Sequence, residues 1–137
     1  MRRQISACLV GDAQGRDDYV SGLNMRISGL GLDNLVNISG HYSDMPTLYA
    51  ASDLILAPSV RPEAFGRVAI EAGAMGTPVW ILLPYLPDWR WLLDRRDSPW
   101  YRTAKLFRQA SPNNWSLVIS EVQQALRKIK TPLQFRS

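Results

Sequence analysis

Two glutamates, Glu63 and Glu71, stand eight positions apart in the run RPEAFGRVAIEAGAMGTPV (61–79). The rest of the run is small or apolar apart from two arginines and a threonine, with Gly66 and Gly76 bracketing its centre. Carboxylates accept hydrogen bonds from vicinal hydroxyls, and bonds to an ionised acceptor are the stronger class. Eight residues is slightly more than two helical turns, so spacing alone does not put the pair on one helix face. Two readings follow. In the bland one both carboxylates face water, with Glu63 merely favouring a helix start. In the functional one they line a ligand site. Position favours the second. Glu63 follows the strand-like LILAPS in a short loop, and Gly66 permits close backbone approach. The helix that follows presents free N–H groups to an anion. Ala69, Ala72, Gly73, Ala74 and Gly76 are small enough for that helix to press against a sheet or a ligand.

Such a site needs strands to hold it, and the hydrophobic pattern supplies them. ISACLVGD (5–12) reads as a buried strand ending at Gly11-Asp12. DDYVSGLNMRISGLGL (17–32) reads as a helix with Tyr19, Val20, Leu23, Ile27 and Leu30 on one side and Gly29 or Gly31 closing it. NLVNISG (34–40) and DLILAPS (53–59) are strands, with a short helix over 44–52 between them, capped by Asp44 and carrying Pro46 in its first turn. A helix over 64–76, a strand over 78–84, a short helix over 88–96 and a strand over 104–109 follow. Trp115, Val118, Ile119, Val122, Leu126 and Ile129 form the apolar stripe of a last helix, with Lys128 and Lys130 favouring its carboxyl end. Strands that are continuous apolar runs, alternating with helices, indicate a parallel sheet covered on both faces. Ligands in such sheets bind outside the carboxyl ends of the strands, here loops 11–17, 39–44, 58–66 and 84–88.

The chain of 137 residues is one domain's worth, 1–137. Hydrophobic content of 46% with 20% charged residues fits a folded chain and excludes a disordered one. The net charge of +4 favours anionic partners without choosing among them. The single cysteine, Cys8, sits in an apolar run and is expected to be a small core residue, which implies a reducing, cytoplasmic setting. PVWILLPYLP (78–87) is broken by prolines and far short of the ~20 residues of a transmembrane helix. One histidine, His41, and one cysteine do not make a zinc site, so no metal is expected. The dinucleotide fingerprint and the P-loop are both missing. All nine glycines lie at or before Gly76 and all five tryptophans at or after Trp80, a change of style near residue 77. DWRWLLDRRDSPWY (88–101) admits two readings: an interfacial patch for membrane or nucleic acid, or a packed loop and helix with arginine–aspartate pairs. The near balance of Asp88, Asp94 and Asp97 against the arginines favours the second.

PSVRPEAFGRVAIEAGAMGTPV (58–79) resembles the Glu–seven residues–Glu motif of retaining nucleotide-sugar glycosyltransferases of the GT-B fold, family four. CLVGDAQ and NLVNISGHYSDMPTLYAASDLILAPS extend the resemblance over residues 5–79. It implies a three-layer α/β/α, Rossmann-like half of a GT-B fold with about five parallel strands. It implies that Glu63, the catalytic candidate, contacts the transferred sugar near the anomeric carbon. The backbone N–H groups of Phe65, Gly66 and Arg67 would hold the donor diphosphate or sugar hydroxyls, and Glu71 the ribose hydroxyls. His41 and Tyr42 would flank the base, and Gly11 belongs to the donor-binding glycine turn.

The family's domain normally opens with a further strand and helix whose Gly-Arg turn and lysine grip the diphosphate, and it follows an acceptor-binding domain; this chain starts after both. Residues 77–126, with PVW-x-LLP, DWRWLL and SPWY, resemble heptosyltransferase-like GT-B proteins, except that Arg102 stands where proline is expected. The expectation is a donor-binding lobe, inactive alone and composed of two related sequences joined near residue 77. The competing readings are a non-catalytic recombined module, whose exposed edge strand invites homodimerisation, and, behind both, a basic nucleic-acid binder.

Overall fold

The computed structural model describes residues 5–58 and 66–129. They fall into two compact units divided after Met45. Among the described residues there are five parallel strands, as expected, in two ladders rather than one: two strands in the first unit and three in the second.

In the first unit, β1 (Ala7–Val10) leads through a turn to α1 (Asp17–Gly29) and on to β2 (Val36–Gly40). Ala7 lies opposite Val36, and the register shifts between Leu9 and Val10 so that Val10 meets Gly40. Asp17 and Asp18 in the first turn of α1 and Arg26 in the last complement the helix dipole. Gly31, at φ +66°, closes the helix: its N–H donates to Ser28 O and that of Leu32 to Ile27 O. Of the two glycines that the pattern offered, the left-handed one does the work. The side predicted to be apolar is covered only in part. Val20, Leu23 and Ile27 are half-buried, whereas Tyr19 and Leu30 are exposed. Cys8 is exposed as well, against the expectation of a core thiol. An apolar run is buried only where something covers it, and α1 has no buried residue with which to seal β1.

The second unit begins with α2 (Met45–Ala51), which starts at the boundary, and continues β3 (Ile55–Pro58), α3 (Arg67–Ala74), β4 (Val79–Leu83), a single 3-10 turn (Trp89–Trp91), β5 (Ala104–Arg108) and α4 (Trp115–Lys128). β4 is the middle strand, pairing Val79 with Ile55 on one side and with Ala104 on the other. All five of its residues are buried, as a two-sided parallel strand requires. Trp80 and Leu82 point to one face, where they meet Phe107, Val118 and Val122. The Trp80 and Phe107 rings lie 5.2 Å apart in a tilted pair. Alternation turns Val79, Ile81 and Leu83 to the opposite face, which leaves α3 to cover them. The unit is therefore a three-layer α/β/α sandwich.

Two local expectations are revised. Ile119 is 56% exposed, because the buried stripe of α4 runs Val118–Val122 and passes beside it. The helix predicted over 88–96 is one 3-10 turn. Asp88 caps it by accepting from Arg90 N–H at 3.1 Å, and Leu92, at φ 53° and ψ 169°, ends it. The chain then runs along the outer edge of β5, where Leu106 N–H donates to Arg96 O and Asp97 bridges Lys105. This covers an edge that would otherwise be open to pairing. Arginine–aspartate pairs form as expected between Arg90 and Asp88 and between Arg95 and Asp97. Trp89 and Trp100 stay exposed while Trp91 is buried.

Candidate functional site

The helix α3 carries the described part of the glutamate motif; Glu63 and Phe65 lie outside the described residues. The two bracketing glycines serve different purposes. Gly76, at φ +73°, closes α3, with its N–H donating to Gly73 O and that of Thr77 to Ala72 O. Gly66, at φ −69°, is in no conformation that needs glycine. It is buried, and a Cβ built there would lie 2.7 and 2.9 Å from two ring carbons of Trp91. Close approach, not φ, explains it. Among the described residues, no side chain caps the amino end of α3.

Glu71 lies one turn into this helix, half-buried, with both oxygens engaged. Oε2 accepts from the Tyr49 hydroxyl at 3.1 Å, and Oε1 lies 3.7 Å from the Arg67 guanidinium. Tyr49 is only 2% exposed. Its phenol is pushed up to about 12, first by burial, then by the hydrogen bond to the Glu71 carboxylate and by that carboxylate's charge, with Arg67 pulling the other way. The Tyr49 carbonyl accepts from Thr77 Oγ1 at 2.6 Å, so α2 is tied to both the middle and the end of α3. The carboxylate is oriented by the Tyr49 hydroxyl on one oxygen and lies beside Arg67 on the other.

On the carboxyl edge of the same sheet, Arg108 donates from Nε to Arg95 O at 2.9 Å and from Nη2 to Trp91 O. Its Nη1 is buried without a partner, and burial holds its guanidinium below the ordinary range. Gln109, next in the chain, accepts at Oε1 from Tyr85 N–H at 3.0 Å.

In the first unit, Gly11, His41 and Tyr42 lie together at the carboxyl ends of β1 and β2, where Gly11 N–H donates to Gly40 O at 2.9 Å. His41 and Tyr42 are exposed. The sequence singled out Gly66, Arg67 and Glu71, and the structure joins Arg67 to Glu71. It did not single out Tyr49, Trp91 or Arg108. For Tyr49 there was a faint signal, a tyrosine where a short helix needed only aliphatics. The other two depend on the chain's returning from far along the sequence.

An α/β architecture of parallel strands alternating with helices is that of the Rossmann-like domains of GT-B glycosyltransferases. Residues 1–81 match the family model described as Glycosyl transferases group 1, and the chain belongs to that family. Mannosylfructose-phosphate synthase of Agrobacterium fabrum is 47% identical over 58 residues, 41% of this chain and 13% of that protein. D-inositol 3-phosphate glycosyltransferase of Salinispora arenicola is 58% identical over 36 residues, 26% of this chain and 8% of that one. Among solved structures, Anabaena HepE in complex with UDP and glucose superimposes with a TM-score of 0.64 at 30% identity, covering 92% of this chain and 33% of HepE. A glycosyltransferase from Rickettsia africae gives 0.71 at 26% identity, covering 94% and 31%. The chain thus spans about a third of these solved relatives. None of the helices among the described residues is long and apolar enough to cross a membrane.

Proposed function

We propose that this chain is the donor-binding lobe of a retaining, family-four glycosyltransferase and that it takes a nucleotide-diphospho-sugar, with UDP-glucose the natural first probe. The observation that carries the reading is Glu71, oriented on α3 by Tyr49 and Arg67, in a chain whose fold is similar to that of HepE, a protein whose structure holds UDP and glucose. In this reading Glu71 accepts the ribose hydroxyls. The amides of Phe65, Gly66 and Arg67 hold the diphosphate, and Glu63 acts at the anomeric carbon of the transferred sugar. Gly11, His41 and Tyr42 make up the remaining donor contacts. No metal is assigned a role. Transfer needs an acceptor-binding part beyond the third of its relatives that this chain spans, so the chain alone binds donor and does not turn it over. The proposed setting is cytoplasmic. The change of style near residue 77 is read as a junction between two GT-B sequences, a reading compatible with packing across it: Thr77 bonds Tyr49 in front, and β4 follows in the same sheet as β3.

Titration calorimetry with UDP-glucose at up to millimolar concentrations tests this. Saturable binding is expected, weakened about tenfold or more in Glu71→Ala, the scale of one charge-assisted hydrogen bond. Tyr49→Phe serves as the control for loss of orientation alone. No heat or chemical-shift response to UDP-, GDP- or ADP-sugars would remove the reading and leave a non-catalytic module.

A further inference from the structure

The contact between Trp91 and Gly66 joins two parts of the sequence that differ in style. Gly66 precedes α3, inside the residues that match the family; Trp91 lies beyond them. The indole occupies the volume that any side chain at position 66 would need, although the backbone there would accept one. Trp91 is 3% exposed and is fixed from several directions. Its backbone N–H donates to Asp88 O at 3.0 Å, its backbone carbonyl accepts from Arg108 Nη2, and its ring lies 5.8 Å from that of Tyr101. Immediately after it, Leu92 sits at φ 53° and ψ 169°, a region that is essentially glycine's. Such a conformation persists only where surrounding contacts over-determine it. A guanidinium with a buried, unpartnered nitrogen and a strained leucine therefore flank the tryptophan that presses on the start of α3.

We propose that Trp91 is a positioning residue for the donor. It acts as a strut that sets the first turn of α3, and through that turn the direction of the amides that hold the donor's second phosphate. This rests on the donor reading above. Trp91 does not touch the ligand. It fixes Gly66, and Gly66 admits it because it has no side chain. Helix amides bind an oxyanion only when aligned to it, so a shift of the first turn weakens the hydrogen bonds to phosphate while contacts to base and ribose remain.

The test compares UDP with UMP, because the strut acts on the second phosphate alone. Affinities are measured by calorimetry at a temperature where circular dichroism shows every variant folded. In the wild type UDP is expected to bind more tightly than UMP. In Gly66→Ala and in Trp91→Ala the advantage of UDP is expected to fall about tenfold, the loss of roughly one charge-assisted bond, with UMP unchanged. Trp91→Phe keeps an aromatic ring in the core but lacks the Cη2 and Cζ2 carbons that meet Gly66; it is the safer variant for folding and is expected to lose part of the advantage of UDP while staying folded. The double variant Gly66→Ala/Trp91→Leu makes room for the new methyl and is expected to recover part of what Gly66→Ala loses. If the single variants melt earlier but keep the UDP-to-UMP ratio, Trp91 is core packing only and the proposal is overturned while the donor reading stands. If the wild type binds neither nucleotide, both fall together.

Discussion

The two units are built from the same kind of sequence, apolar strands and amphipathic helices in alternation, yet they differ in what they bury. Among the described residues of the first unit none is buried, and Tyr19, Met25 and Leu30 on or beside α1 are largely open. In the second, all of β4 is buried, along with much of β5 and the inner stripe of α4. The ladders explain the contrast. β4 has a strand on each side and a helix layer on each face; among the described residues β1 has one neighbouring strand, and a helix with no fully buried residue. A parallel strand is apolar on both faces, so its contribution depends on cover, which the strand's own sequence does not supply. Stability should therefore be concentrated in the second unit.

Four measurements can break or sharpen that comparison. Phe107→Ala, a full cavity under Trp80 and Val118, is expected to cost about 3–5 kcal/mol in urea unfolding. Leu9→Ala in β1 removes a side chain of which 42% is already exposed, and should cost under about 1 kcal/mol; an equal loss at the two positions would sink the comparison. Tyr49→Phe should cost about 1 kcal/mol at neutral pH through the lost hydrogen bond to Glu71. It also has a pH signature. The phenol's folded value of about 12 lies above its ordinary 10, so the neutral form is favoured in the folded state. Its contribution is fully present below pH 10 and is lost as pH rises from 10 to 12. That alkaline decline should flatten in Tyr49→Phe. Smallest is Arg67→Ala: its 3.7 Å pair with Glu71 is largely solvated, so melting should register only about 0.3–0.5 kcal/mol.

Much of the fold was legible because its signals are local. The order of strands and helices follows from apolar periodicity, and the ends of α1 and α3 from Gly31 and Gly76, whose left-handed angles the turns require. Expectations failed where cover mattered. Cys8 reads as core by its neighbours in the chain and is exposed by its neighbours in space. The tryptophan-rich stretch reads as a helix, and is one turn that stops where Leu92 takes a glycine-like angle. At the candidate site, Arg67 and Glu71 were each singled out from the motif, but their ion pair one helical turn apart was not, and Tyr49 reaches Glu71 from 22 positions away.

By itself the sequence determined that this protein is a parallel α/β chain with a glutamate-bearing helix opening at a strand's carboxyl end, because periodicity and turn chemistry act within a few residues. Only the tertiary structure decided that Gly66 is glycine for the sake of Trp91, that Tyr49 holds Glu71, and which apolar strands are covered. Those outcomes depend on the volumes that distant segments bring together, and local pattern carries no record of them.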